Sequence, residues 1–456
     1  MLEDRLLRIH DLADKDPARA VTEAEQALNE HPNHVGALSV AAYAFLKIER
    51  FGVAYSLLER ACKVSPEKSA LWGNLGMCAL GCMDHDLAIQ HLRQALKLDS
   101  RNSSAMNNLA LAYVNKGDPI MALQWGEKAR ELRGNDPSLM ETLGYANLLL
   151  GRWEAGWEGF EGSLGGKIRR PRSYKGEGYW DGKPIKTLVV RGEQGIGDEI
   201  SFASVFGDVQ AENVVIECDK RLEGLFQRSF PYPVVGTRFQ ESIPWANGLD
   251  IDAHVLSGSL CRYYRNRDED FPGKPYLVAD PERRIQWRAL LDSMGKRPKI
   301  GIAWTGGRHN TNATRRSLSL ESLLPILRLD ADFVSLQYKD PRLEIAEFEQ
   351  THGIKVHHWA RATEAADYDE TAALVAELDL VVSVQTAVVH LAGALGKECK
   401  VIVPAKPHWR YGMSKDRMPW YESVSLYRQK GGDWATPILK IASELMDGHG
   451  PLRDSP

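Results

Sequence analysis

Along the first third of the chain, small apolar residues return at a fixed interval. Ala20, Ala54, Ala88 and Ala122 stand 34 positions apart, and Ala27, Ala61, Ala95 and Ala129 repeat the same step, as do Pro32 and Pro66. Small side chains at fixed sites let paired helices approach closely, and a proline or polar turn separates one pair from the next. The pattern predicts a stack of helix pairs. After "GSLGGKIRRPRSYKGEGYWDGKP" the helical period gives way to short β-branched runs. These are "KTLVVRG" (186–192), "NVVIECD" (213–219), "KIGIAW" (299–304), "DFVSLQ" (332–337), "IKVHHW" (354–359), "LDLVVSV" (378–384) and "CKVIVP" (399–404). Helical stretches such as "DEISFASVFGDVQ" separate most of them, which marks parallel strand–helix–strand units.

The best-formed repeat unit reads Trp72, Leu75, Gly76, Ala88, Leu92 and Ala95, and the next reads Leu109, Ala110, Tyr113, Ala122 and Ala129. A final unit carries Leu143, Gly144 and Phe160 in phase. This is the tetratricopeptide pattern, so residues 1–162 resemble a tetratricopeptide solenoid of four to five helix pairs. Such an array offers a concave surface to a protein or peptide partner, or else caps and orients the domain behind it. A connector is expected at 163–184, then two Rossmann-like, doubly wound α/β domains at 185–296 and 297–446, then a tail at 447–456. Ligands of such sheets sit beyond the carboxyl ends of the strands, here in a cleft between the two domains.

Composition narrows the partners. With 43% hydrophobic and 26% charged residues among 456, the chain reads as globular, and a formal charge of -4 gives no broad basic field for nucleic acid or membrane surfaces. No run of about 18 apolar residues suggests a membrane span, and "MLEDRLLRIHDLADKDP" is too charged for a secretory signal, so a cytoplasmic protein is expected. The six cysteines show no zinc-like pairing. Cys78 and Cys82 share a helix face at i,i+4 and are expected to pack.

Three loops carry the candidate chemistry, each directly after a strand: "RGEQGIGDE" (191–199), "TGGRHNTNATRRS" (305–317) and "SVQTAVVH" (383–390). A helix start with open amides and a threonine hydroxyl suits an anion, most naturally phosphate. Arg315 and Arg316 add cations of the bidentate kind, although Arg315 also fits a solvated surface position. "GEQGIG" lacks the dinucleotide-binding spacing, and no phosphate-binding G-x-x-x-x-G-K-[ST] occurs, which disfavours a dinucleotide-dependent enzyme. Among 61 acids, Asp250-Ile251-Asp252 and Asp268-Glu269-Asp270 are expected by chance, and no metal site is assigned. Trp409, Trp420, Tyr421 and Trp434 suit either stacking on a base or packing of the domain.

"RGEQGIGDEISFA", "GIAWTGGRHNTNATRRSLSLESLLPIL", "FVSLQ", "DETAALVAELDLVVSVQTAVVHLAGALGK" and "PHWRYGMSKDRMPWYESVSLYRQKGGDW" together resemble bacterial tetratricopeptide-linked glycosyltransferases related to the heptosyltransferases. The resemblance covers about residues 185–445 and the repeats. It implies a GT-B fold, a nucleotide-diphosphate sugar as co-substrate, and inversion at the anomeric carbon without a required metal or other cofactor. The layout is also similar to the O-linked N-acetylglucosamine transferases, which implies a protein acceptor. Carried over residue by residue, it makes Asp198 the base, although Asp198 also fits a helix cap. Gln194, Gly195 and Gly197 fall on the acceptor side. Donor contacts fall on Thr305, Gly306, Gly307, Arg315, Arg316, Gln337, Gln385, Thr386, Ala387 and His390, of which His390 also fits a core position. Gln385 departs from the family, which carries Asp there. The expected function is therefore an inverting, metal-independent glycosyltransferase acting on a protein or glycan, with the repeats recruiting acceptor or partner. The alternative is a non-catalytic repeat scaffold with a degenerate sugar-nucleotide domain.

Overall fold

The computed structural model describes residues 2–166, 168–307, 316–364 and 366–449. The chain forms two compact units: residues up to Leu150 with Glu158–Gly162, and Gly151–Trp157 with the chain from Ser163 onward.

Ten helices run through residues 2–160 as five successive pairs, beginning with Leu2–Lys15 and Pro17–Glu30 and ending with Pro137–Leu149 and Trp153–Phe160. All eight in-phase alanines are fully buried, as the spacing predicts. The helix starts are written in the turns. Asp16, Asp84, Asp118 and Asp136 accept hydrogen bonds from free amides of the first turn, and Pro17, Pro119 and Pro137 follow three of them at positions where no amide is missed. Each such cap is worth about 1 kcal/mol. Cys78 is buried, but Cys82 stands exposed at the end of the helix Ser69–Gly81, so only the first of the pair packs. Among the described residues, no helix is long and apolar enough to cross a membrane.

The second unit holds two sheets. The first contains β1 (Gly178–Tyr179), β2 (Ile185–Arg191), β3 (Ala211–Glu217), β4 (Val234–Val235) and β5 (Ala253–Leu256), all parallel, in the order β1-β5-β2-β3-β4. The second contains β6 (Lys299–Ala303), β7 (Asp332–Ser335), β8 (Val356–His357), β9 (Leu380–Val384), β10 (Cys399–Val403), β11 (Arg417–Met418) and β12 (Tyr421–Arg428). Its order is β11-β12-β10-β9-β6-β7-β8, parallel throughout except for β11 on β12. Strands β6, β9 and β10 are almost entirely buried, as is the centre of β2, the property their apolar runs encode. "IKVHHW" shrinks to the two-residue edge strand β8. β12, absent from the strands expected of the sequence, interleaves exposed and buried residues and so shows no unbroken apolar run.

Stretch 163–184, expected as a connector, is built into this unit. β1 extends the first sheet, Arg169 pairs with Glu193 at 2.7 Å, and Arg172 and Tyr174 both reach Glu217. At the other end, the helix Ala435–His449 runs through the start of the expected tail, and residues 450–456 lie outside the described part.

Both sheets reverse direction of growth at a defined place. From β2 the chain moves outward to β3 and β4 and then returns to β5 on the other side. From β6 it moves to β7 and β8 and then returns to β9. A parallel sheet opens a crevice at the carboxyl ends of its strands where growth reverses, and ligands bind there.

Candidate functional site

At the reversal point of the second sheet, three distant loops meet. Trp304, fully buried after β6, donates its Nε1 hydrogen to Glu344 at 2.8 Å and anchors the loop beginning at Thr305. Thr305 is then clamped twice by Gln337 from the end of β7: its amide donates to Gln337 Oε1 at 3.3 Å, and its Oγ1 accepts from Gln337 Nε2 at 2.5 Å. Gly306 lies so close to β9's exit that a Cβ there would stand 2.7 Å from the Gln385 carbonyl oxygen. Gly307 has φ +80, and its carbonyl accepts from Tyr338 Oη at 2.7 Å. Ser317 Oγ closes the loop by accepting from the Gly306 amide at 3.2 Å. Arg315 and the rest of 308–315 lie outside the described residues.

After β9, Thr386 caps the helix Ala387–Ala394 by backbone alone. Its hydroxyl is 3.0 Å from Ser383 Oγ rather than on a helix amide, which leaves the first-turn donors to another acceptor. Gln385 is 2% exposed; its Oε1 accepts from the His408 amide at 3.3 Å, while its Nε2 has no acceptor among the described residues. A buried donor without an acceptor costs about 1–3 kcal/mol.

The first sheet supplies the facing wall. Gln194 adopts φ +60, a left-handed conformation uncommon for a residue with a side chain, and its carbonyl accepts from Arg238 Nη2 at 2.7 Å. Gly195 caps the helix Ile196–Phe202, with its amide donating to Asp198 Oδ2 at 3.0 Å. Asp198 therefore does cap this helix, and it does more. Its Oδ1 is 2.8 Å from Arg410 Nη1 of the second half, and its side chain remains 27% exposed. Gly197 permits the approach: a Cβ there would meet Ala387 Cα at 3.0 Å and His390 Cδ2 at 3.2 Å. Glu199, next in line and 1% exposed, pairs with Arg238 and accepts the Asp219 amide at 3.0 Å. Burial pushes its carboxyl up to about 7, opposed mainly by Arg238.

A relay of hydroxyls ties the halves together. Tyr276 Oη donates to the Ile200 carbonyl at 2.7 Å and stands 3.2 Å from Tyr421 Oη, which is 3.3 Å from His390 Nδ1. Tyr276 has one proton and has spent it on Ile200, so Tyr421 donates to Tyr276 and accepts from His390. The proton of His390 is thereby assigned to Nδ1, which leaves Nε2 an acceptor. Burial and the nearby Arg410 hold His390 down to about 3, so the ring is neutral and offers a phosphate no positive charge. Burial, with Arg410, Arg316 and His390, likewise holds His408 well below the ordinary histidine value. Arg316 lies within electrostatic reach of Tyr411, Asp198 and Tyr338, and burial draws its guanidinium below the usual arginine range.

Thr305, Gly306, Gln337, Gln385 and Thr386 are thus brought together on one side, and Gln194, Gly195, Gly197 and Asp198 on the other. The residues not foreseen are Arg410, Ser201, Glu199 and Arg238. Trp409, Trp420 and Tyr421 are buried packing groups, and Trp434 packs partly buried on the core beneath the second sheet. The two acidic triplets hold structure: Asp252 accepts the Thr187 amide at 2.7 Å, Asp268 accepts from Trp153 Nε1 at 2.9 Å, and Asp270 caps a short turn. Among the described residues, one group, Asp340, His358 and Glu364, gathers metal-ligating atoms within 4.8 Å, and Arg342 forks its Asp340.

A tetratricopeptide repeat family model matches residues 84–138. The chain is 30% identical over 320 residues to "Protein FlbA" of Caulobacter vibrioides, a match spanning 66% of this chain and 53% of that protein. The chain thus spans about half the length of the curated relative it matches. Since the repeats end near residue 160, a match of that extent includes part of the α/β unit. Among solved structures, TTC0263, a tetratricopeptide protein of Thermus thermophilus, is 20% identical, covering 37% of this chain and 92% of its own at a TM-score of 0.33. MamA from Desulfovibrio magneticus is 26% identical, covering 29% and 76% at a TM-score of 0.27. The N-terminal unit is a tetratricopeptide helical array, and a mixed α/β region with parallel sheets succeeds it.

Proposed function

Starting from a tetratricopeptide array and two parallel sheets, we propose that the protein is an inverting glycosyltransferase of the GT-B kind. It moves a sugar from a nucleotide-diphosphate donor to a protein or glycan acceptor, and the repeats recruit that acceptor or a partner. One observation carries the reading. A carboxylate from the reversal point of one sheet, Asp198, faces the reversal point of the other, where the buried Nε2 of Gln385 lacks an acceptor beside an uncapped helix start.

In the reaction, Asp198 takes the proton of the acceptor hydroxyl as its oxygen bonds to the anomeric carbon from the face opposite the donor phosphate. The bond from that carbon to the phosphate oxygen breaks, and the nucleoside diphosphate leaves with the electron pair. Arg316, the amides of the 305–307 loop and the first-turn amides at Ala387 meet the charge on the leaving group. Gln385, as an amide, can donate to a sugar hydroxyl where a carboxylate would only accept.

A panel of nucleotide sugars tests this by release of the nucleoside diphosphate, with and without acceptor. Turnover of at least one donor is expected, and Asp198→Asn should cut it about 10²- to 10⁴-fold while leaving the diphosphate bound. A specific observation favours a second reading, a non-catalytic sugar-nucleotide scaffold: Gln385 stands where the resembled family carries Asp. Tight diphosphate binding with no turnover of any donor would select it.

A further inference from the structure

We propose that Arg410 is a diphosphate-binding residue that also governs the base: its Nη2 receives a phosphate oxygen of the donor while its Nη1 holds Asp198. The proposal rests on the glycosyl-transfer reading and adds to that reading a residue outside its carried-over set.

The guanidinium is 1% exposed, and two of its three nitrogens are accounted for. Nε donates to Ser201 Oγ at 3.0 Å, and Nη1 lies 2.8 Å from Asp198 Oδ1. Nη2 is buried and has no acceptor among the described residues. The plane is held by Trp409 and Phe202, whose ring centroids lie 4.1 and 4.6 Å from the guanidinium carbon. Aromatic contacts of this kind fix direction as well as charge. A cationic donor shut away from water without an acceptor is costly, and an anionic ligand removes that cost.

The charges around it agree. Arg316 is close enough to act on the same histidine, His408, as Arg410 does, and it also feels Asp198. His390 and His408 are neutral, so the charges that meet Asp198 here are those of Arg410 and Arg316. Gln385, with its own open Nε2, is joined to the Arg410 segment through the His408 amide. Two buried donors without acceptors among the described residues, one of them on a guanidinium, call for an anion with several oxygens, as a nucleoside diphosphate has.

The consequence is an order of events. Without donor, Asp198 is tied to Arg410; when a phosphate draws on the guanidinium, that tie weakens and the carboxylate is available to the acceptor hydroxyl. The same arginine therefore makes the base wait for the donor.

Calorimetric titration of the full chain with UDP, GDP and ADP, each against its own nucleoside, tests the assignment. The diphosphate-to-nucleoside affinity ratio isolates contacts to phosphate, which a purely structural role would not move. Arg410→Gln should reduce the ratio about 10- to 100-fold, and Arg410→Lys, which keeps charge and most of the volume, should reduce it less. Asp198→Asn should raise diphosphate affinity several-fold by removing the competitor, and this variant decides the matter if the Arg410 variants do not fold. An unchanged ratio in folded Arg410→Lys and Arg410→Gln overturns the role of Arg410 and leaves the donor site standing; unchanged or weaker binding in Asp198→Asn also overturns it. If wild type binds none of the three more tightly than their nucleosides, the transfer reading fails and this assignment with it.

Discussion

The two parallel sheets reverse direction in the same way, yet they treat buried polar groups differently at that point. Beside the first sheet, buried carboxylates find their partners within the same half. Glu193 has Arg169, Glu199 has Arg238, and Glu217, fully buried, takes Arg172, Arg191, Tyr174 and Thr237. Beyond the second sheet, Gln385 Nε2 and Arg410 Nη2 are buried and without an acceptor among the described residues. Charges paired with one another make a frame, and its Arg238 donates to the carbonyl of left-handed Gln194. In the proposed reaction the first half presents the base, and the two open donors at the reversal point of the second sheet mark where the donor diphosphate would bind.

The sharpest way to break this contrast is to remove a partner in the frame. Glu217→Ala removes the fully buried carboxylate on which Arg172, Arg191, Tyr174 and Thr237 converge and should cost about 3–5 kcal/mol of unfolding free energy, read by denaturant titration. A loss below about 1 kcal/mol would show that the frame is not held by its ion pairs.

A smaller effect concerns Glu199, whose folded carboxyl is raised to about 7 from an ordinary 4.5. A raised acid binds its proton more tightly when folded, so its contribution to stability is present at low pH and lost as pH rises from about 4.5 to about 7. The difference in unfolding free energy between wild type and Glu199→Gln should therefore slope over that window and flatten outside it. A flat difference across the window would place the carboxyl in an ordinary environment.

The smallest expected change in stability is at the open position. Gln385→Ala removes a donor that has no acceptor among the described residues, together with the acceptor of the His408 amide, so stability should fall by about 1–2 kcal/mol, whereas affinity for a nucleotide sugar should fall far more. A large loss of stability here would mean that Gln385 belongs to a frame of its own, and the contrast between the halves would disappear.

How much of this is legible in the sequence depends on the kind of signal. The alanine spacing fixes the helix pairs because packing of small residues is local and periodic. Continuous apolar runs give β2, β3, β6, β7, β9 and β10. They do not give β12, whose "YESVSLYR" mixes exposed and buried residues, or β5, where His254 interrupts the short apolar run. The loops after β6, β7 and β9 are recognisable separately, but only strand order shows that they are neighbours. Arg410 escapes sequence reading altogether. In "PHWRYG" an arginine looks like a surface cation, and its partners Ser201 and Asp198 lie more than 200 residues earlier. A buried charge is defined by what comes to it from elsewhere in the chain, and no local pattern carries that information.

The most direct measurement is a crystal structure of the full chain soaked with whichever nucleoside diphosphate binds. The account predicts phosphate oxygens at hydrogen-bond distance, about 2.7–3.2 Å, from amides of the 305–307 loop and the start of helix Ala387–Ala394, with Gln385 Nε2 and Arg410 Nη2 now answered. A diphosphate bound elsewhere, with both of those donors still open, would contradict it.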